Sequence, residues 1–221
     1  MKKLIIWDFD GVLADTEKLW LYNRMITINE TFGLNWDFST TSNYLLGMSD
    51  KTKREVLYKL GLHTTDDFWI KNKELDYQAM YEKGFELTNG VQNILNLDIK
   101  QCIATGGLKE KTAVKIKIVG LSDYFTPDKV FTADMVQKGK PEPDLFLLAA
   151  QKSGVKPQDC IVIEDSVAGL KAALKAQMTP ICFTKYINPF NKDYFNEVKN
   201  IQVNYVFDDM KDIQKTIEKM I

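Results

Sequence analysis

Short apolar runs alternate along the chain with segments of helical period. The runs occupy residues 3–7, 101–105, 160–163, 180–183 and 205–207, each about as long as a strand buried on both faces. Between them, helical patterns cover 109–119, 143–153 and 166–176, the last carrying Ala168, Ala172, Ala173 and Ala176, strong helix formers. Such alternation predicts an α/β fold, a mainly parallel sheet with helices over both faces. One interval departs from it. Residues 15–86 contain no strand-like run and three amphipathic stretches, 19–32, 51–60 and 66–81, which predict an all-helical insert. Gly61 stands where the second of these helices would stop, and Thr65 or Asp66 where the third would be capped. The expected division is 1–14 with 87–221 as one α/β domain and 15–86 as a helical domain.

Composition narrows the classes. A chain of 221 residues that is 45% hydrophobic can bury a core of its own. Its 29 Lys and Arg against 30 Asp and Glu give a net charge of −1, so no overall basic surface is offered to nucleic acid or an anionic membrane. The longest apolar runs fall far short of the ~20 residues a membrane-spanning helix requires. Lys2 and Lys3 before apolar residues imitate a signal peptide, but Asp8 and Asp10 end the run almost at once. Cys102, Cys160 and Cys182 are odd in number, lack CxxC spacing and lie in or beside apolar runs, the usage of buried free thiols in a reducing cytoplasm. A cytoplasmic monomer that binds neither nucleic acid nor membrane is the expectation.

In open α/β sheets ligands gather beyond the carboxyl ends of the strands. Four polar groups meet that condition: Asp8-Phe9-Asp10-Gly11 after the first run, Thr105-Gly106-Gly107 after the second, Glu164-Asp165-Ser166 after the third, and Lys140 in Lys138-Gly139-Lys140-Pro141-Glu142-Pro143. Asp8 and Asp10 would repel each other in a cleft unless a cation lay between them. With Glu164 and Asp165 they form an all-oxygen donor set, which favours Mg²⁺ over zinc or copper.

A metal alone is not enough for phosphate monoester hydrolysis, where enzymes reach accelerations of up to roughly 10²¹-fold. Asp8 can attack phosphorus, and Asp10 can protonate the leaving oxygen and then activate the water that releases phosphate. Gly11 keeps the adjacent backbone close to the phosphoryl group. The Thr105 hydroxyl and the Gly106 amide can donate to phosphoryl oxygens, with Gly107 completing that turn, while Lys140 bridges phosphate and Asp8. Each signal alone has an ordinary structural reading: solvated acids, a turn, or a helix cap at Asp165 or Ser166. Their order at four strand ends carries the functional one.

These residues resemble the haloacid dehalogenase superfamily, through the stretch from Asp8-Phe9-Asp10-Gly11 to Asp15-Thr16-Glu17, then Thr105, Lys140-Pro141-Glu142-Pro143-Asp144 and Ile163-Glu164-Asp165-Ser166-Val167-Ala168-Gly169. The nearest group looks like the β-phosphoglucomutase-like phosphatases. The resemblance implies a Rossmann-like core with a helical cap after the first strand. It implies Asp8 and Asp165 as direct metal ligands, Asp10 through its backbone carbonyl and Glu164 through water. An acid at Asp10 fits phosphatases and phosphomutases and disfavours carbon–halogen chemistry. The stretch Leu45-Leu46-Gly47-Met48-Ser49-Asp50 resembles the family's substrate-facing loop, with Gly47 and Met48 against substrate, but Leu46 and Asp50 stand where a mutase has basic residues. A phosphatase acting on a small sugar or sugar-acid phosphate is therefore expected ahead of a sugar phosphomutase.

The alternatives from other classes are a receiver-like regulator, which lacks a cap, and a non-catalytic phospho-ligand binder, which has no use for intact Asp8, Asp10, Lys140 and Asp165. His63 is the single histidine and reads as a solvated loop residue, which argues against histidine-dependent hydrolases and phosphatases. No GxGxxG follows the first run. Trp7, Trp20, Trp36 and Trp69 are expected to fill cores. Lys109, Lys111, Lys115 and Lys117, interrupted by Glu110, read as a solvated face, with Lys109 bordering the phosphate pocket.

Overall fold

The computed structural model describes residues 1–46, 48, 50–187 and 191–221, with the backbone alone at Lys51. The chain divides into two compact units, Met1–Asp15 with Glu86–Ile221, and Thr16–Phe85. The first holds strands β1 (Leu4–Trp7), β2 (Lys100–Thr105), β3 (Val130–Thr132), β4 (Cys160–Glu164), β5 (Thr179–Phe183) and β6 (Tyr205–Phe207). They form a six-stranded sheet in the order β3-β2-β1-β4-β5-β6, and every neighbouring pair is parallel. This is the predicted α/β class with Rossmann-like topology.

The apolar runs form strands because both of their faces are covered. Along β1, Leu4 and Ile6 turn toward one face and join Cys102, Ala104, Phe131 and Val162 in a single core cluster. Their alternates Ile5 and Trp7 are just as inaccessible, as a parallel sheet clothed on both sides requires. Each such side chain contributes about 1.5–3 kcal/mol by leaving water. Trp7 satisfies its indole N–H on Gln101 at 2.9 Å.

The helices of the second unit are α1 (Glu17–Phe32), α2 (Phe38–Leu45), α3 (Asp50–Lys59) and α4 (Asp66–Glu82); those of the first are α5 (Val91–Leu95), α6 (Lys109–Ile118), α7 (Asp144–Lys152), α8 (Val167–Lys175), α9 (Lys192–Asn200) and α10 (Met210–Glu218). Leu145, Phe146 and Ala149 of α7 and Ala172 and Ala173 of α8 pack into the cluster that Leu4 and Ile6 begin. Small alanines let α8 lie close to the sheet.

The helical unit has its own core of Leu21, Ile28, Leu45, Leu57, Phe68 and Trp69. Gly61 follows α3 with φ +78°, a left-handed conformation costly for other residues, and the Thr65 hydroxyl caps α4 by accepting from the Phe68 N–H. Arg24 is buried against the Trp69 ring, 4.3 Å from its centroid, and reaches Asp50 at 3.3 Å. Trp7 and Trp69 are core residues, Trp20 and Trp36 are half-buried, and His63 is exposed. Among the described residues no helix is long and apolar enough to cross a membrane.

Candidate active site

Strands β1 and β4 lie side by side in register, Trp7 opposite Ile163, so the residues that follow them emerge together. The Asp8 N–H still donates to the Ile163 carbonyl at 2.9 Å, and Glu164 closes β4. The chain then turns sharply. The Phe9 carbonyl accepts from Val12, Leu13 and Ala14, and Gly11 donates to Ala14 at 2.9 Å. Gly11 has φ +78°, and a Cβ built there would lie 1.9 Å from Asp165 Oδ2. Glycine is needed at this position because the Asp165 carboxylate occupies the space beside it.

Asp8, Glu164 and Asp165 each offer a carboxylate oxygen within 4.8 Å of the others. Lys140 Nζ donates to Asp8 Oδ1 at 2.5 Å and to Glu164 Oε1 at 2.7 Å, and the lysine side chain is about as buried as its partners. The second Glu164 oxygen accepts the Ser166 N–H at 2.6 Å. Ionisation of all three carboxylates against one ammonium would leave an excess of two negative charges. Burial pushes the Asp8 carboxyl up to about 7, with Lys140 opposing and Glu164 and Asp10 adding to the rise. Asp165 is raised well above the carboxylate range, first by burial and then by Glu164 and Asp8. Burial would lower Lys140, but Asp8 and Glu164 outweigh it and hold the ammonium above its ordinary value. Three crowded hard-oxygen donors that resist joint ionisation fit a divalent cation such as Mg²⁺, which would let all three ionise.

Thr105 ends β2 and is buried; its Oγ1 accepts the Gly107 N–H at 3.2 Å, while Gly106 is exposed with open space where a Cβ would stand. Lys109 is exposed and gives its backbone N–H to Asp134. Met48 is half-buried in the helical unit, and Gly47 lies outside the described residues. Asp8, Asp10, Gly11, Thr105, Gly106, Gly107, Lys140, Glu164 and Asp165 all belong to the α/β unit.

The expectation of a solvated lysine face on α6 is corrected at Lys115. That residue is 1% exposed, and its Nζ lies 2.5 Å from Asp10 Oδ2 and 4.6 Å from the Phe9 ring centroid. The physical reason is helical phase: Thr112, Lys115 and Ile116 share the buried side of α6, and the lysine is tolerated there because a carboxylate meets it. Tyr194 of α9 was likewise not foreseen. Its hydroxyl donates to the Asp165 carbonyl at 2.5 Å and touches Cys182 Sγ at 3.2 Å. Cys102, Cys160 and Cys182 are buried and free, and burial pushes the Cys102 thiol up to about 12.

Comparisons with known proteins agree with this arrangement. The family model for haloacid dehalogenase-like hydrolases matches residues 5–183. A CBBY-like protein of Arabidopsis thaliana is 31% identical over 207 residues, covering 80% of this chain and 61% of the plant protein, so the chain spans less than two thirds of that relative. The 6-phosphogluconate phosphatase of Escherichia coli K12 is 25% identical over 193 residues, 85% of this chain and 84% of the relative. Among solved structures, a conserved haloacid dehalogenase-like protein of unknown function from Agrobacterium tumefaciens superposes with TM-score 0.86 at 26% identity, covering 100% of this chain and 99% of the other. With the sheet order, the strand-end carboxylates and a family match over most of its length, the chain belongs to the haloacid dehalogenase-like hydrolases.

Proposed function

We propose that the protein is a Mg²⁺-dependent phosphatase that hydrolyses a small phosphorylated metabolite, a sugar or sugar-acid phosphate, through an aspartyl phosphate on Asp8. The observation that carries this reading is the buried pairing of Lys140 with Asp8 at 2.5 Å beside Glu164 and Asp165. Lys140 keeps Asp8 oriented and, with two donors spent on Asp8 and Glu164, offers its remaining donor to an incoming phosphoryl group. Similarity to a relative named for its action on 6-phosphogluconate supports the substrate class.

In this reading Asp8 Oδ attacks phosphorus as the bond to the leaving oxygen breaks, and Asp10 gives that oxygen a proton. Asp10 then takes a proton from the water that attacks the aspartyl phosphate, which frees phosphate and regenerates Asp8. Thr105, Gly106 and Lys140 donate to the phosphoryl oxygens, Gly107 completes the turn that presents them, and Lys109 borders the phosphate. Asp8 and Asp165 would hold the Mg²⁺ directly, with the Asp10 carbonyl and Glu164 completing the set; when bound, the ion offsets charge on the transferring group. The helical unit serves as the cap that recognises the rest of the substrate, Gly47 and Met48 included, and shields the reaction from water.

The test is phosphate release by purified protein from a panel of phosphorylated metabolites, with magnesium and with chelator. A strong magnesium-dependent hit among sugar or sugar-acid phosphates is expected. Turnover confined to interconversion of sugar phosphates, with no phosphate released, would replace hydrolysis with a mutase.

A further inference from the structure

Asp10 is asked to exchange a proton in both half-reactions, yet a carboxylate on a turn has a freely rotating side chain unless something holds it. One partner of the Asp10 side chain is Lys115, two turns into α6, with Nζ 2.5 Å from Oδ2. The lysine side chain is 2% exposed against 40% for the aspartate. The ammonium is therefore the fixed partner and the carboxylate the one it orients.

The surroundings fix the lysine in turn. Its ammonium lies over the Phe9 ring at 4.6 Å, a favourable cation–π arrangement. Gly107 opens the approach: a Cβ there would stand 2.9 Å from Thr112 Oγ1 and 3.5 Å from Lys115 Nζ. The glycine beside the phosphate-binding turn is thus also what lets α6 deliver its lysine to Asp10.

We infer that Lys115 is a positioning residue for Asp10: it clamps Oδ2 and so fixes the orientation in which the carboxyl group exchanges the proton with the leaving group. This rests on the phosphatase reading above and deepens it. Protonation of the leaving oxygen matters most for poor leaving groups such as sugar alkoxides and least for nitrophenolate. Loss of the clamp should therefore be felt unequally across esters, a signature that a merely structural lysine would not produce.

The experiment measures kcat/KM on a series of phosphate monoesters whose leaving groups run from alkyl alcohols to p-nitrophenol, for wild type, Lys115→Met, Asp10→Asn and the double variant. Lys115→Met is expected to lose about 100-fold on alkyl esters, within the range of general-acid contributions, and less than about 10-fold on p-nitrophenyl phosphate. In the Asp10→Asn background Lys115→Met should change little more, because residues acting as a unit are not additive.

An equal loss on every ester, or full additivity with Asp10→Asn, overturns the inference. Should Lys115→Met fail to fold by circular dichroism, Lys115→Arg carries the test. It keeps the charge but shifts Oδ2, and a leaving-group dependence unchanged from wild type would overturn the inference as well. Absence of phosphatase activity in the wild type is a separate outcome, and it removes the phosphatase reading itself.

Discussion

At the scale of single residues, the site is built from charges that constrain one another and from glycines that make room for them. Gly169 illustrates this. It lies in α8, where alanine is ordinarily favoured by about 1 kcal/mol, yet a Cβ there would stand 1.8 Å from Glu164 Oε1. Gly169→Ala is therefore expected to destabilise the protein and to displace Glu164 from Lys140, which a thermal melt and an activity assay would register; an increase in melting temperature would contradict it. Asp8, Asp10, Lys140 and Asp165 were legible in the sequence because each follows an apolar run or lies in a proline-stiffened loop. Lys115 was not, because a lysine among other lysines reads as solvated until the phase of its helix is known. Tyr194 was not either, since it acts from a helix distant in sequence and through a backbone carbonyl.

At the scale of elements, the strands that carry chemistry were predicted nearly to their ends, since continuous apolar runs bounded by acids leave little choice. Strand β3 was missed. It is three residues long and follows a 3-10 turn over Pro127–Lys129, and the sheet edge pairs it only with β2. Helix α2 was missed because Phe38–Leu45 is rich in Ser and Thr, poor helix formers; its start is secured by Asp37, which accepts the Thr40 N–H at 2.7 Å. Helix α8 connects fold to site most directly. Ser166 caps it by accepting the Gly169 N–H at 3.0 Å, while its own N–H holds Glu164. Ser166→Ala removes the first bond and keeps the second, so a loss of about 1 kcal/mol in a denaturant titration is expected, the usual worth of such a cap. A loss of activity far beyond what that stability change explains would mean that the hydroxyl has a role in the site.

At the scale of the whole molecule, the parallel sheet gathers acids from non-adjacent parts of the chain into one buried place, and folding without a cation must bear their repulsion. Folding raises the Asp8 carboxyl from 3.8 to about 7, so the folded state holds a proton that the unfolded chain releases. Below the unfolded value both states are protonated and nothing is lost; as pH rises from about 4 to about 7 stability falls, and Asp165 adds in the same direction. In chelator, Asp8→Asn should therefore become progressively more stable relative to wild type across that window. Magnesium should narrow that difference, raising wild type by about 2.7 kcal/mol at a hundredfold excess over its dissociation constant and the variant by less. A difference that stays flat with pH would count against the buried carboxylates as its source. The division into an α/β and a helical unit was foreseeable from the break in strand-like runs after Asp15, whereas the identity of the substrate was not, because a helical pattern dictates packing and leaves the recognising side chains open. Whether Asp8 is the nucleophile of a magnesium-dependent phosphatase is decided by phosphate release from wild type and Asp8→Asn at saturating magnesium. Loss of turnover in a variant that remains folded is expected; hydrolysis by Asp8→Asn at the wild-type rate would rule Asp8 out as the nucleophile.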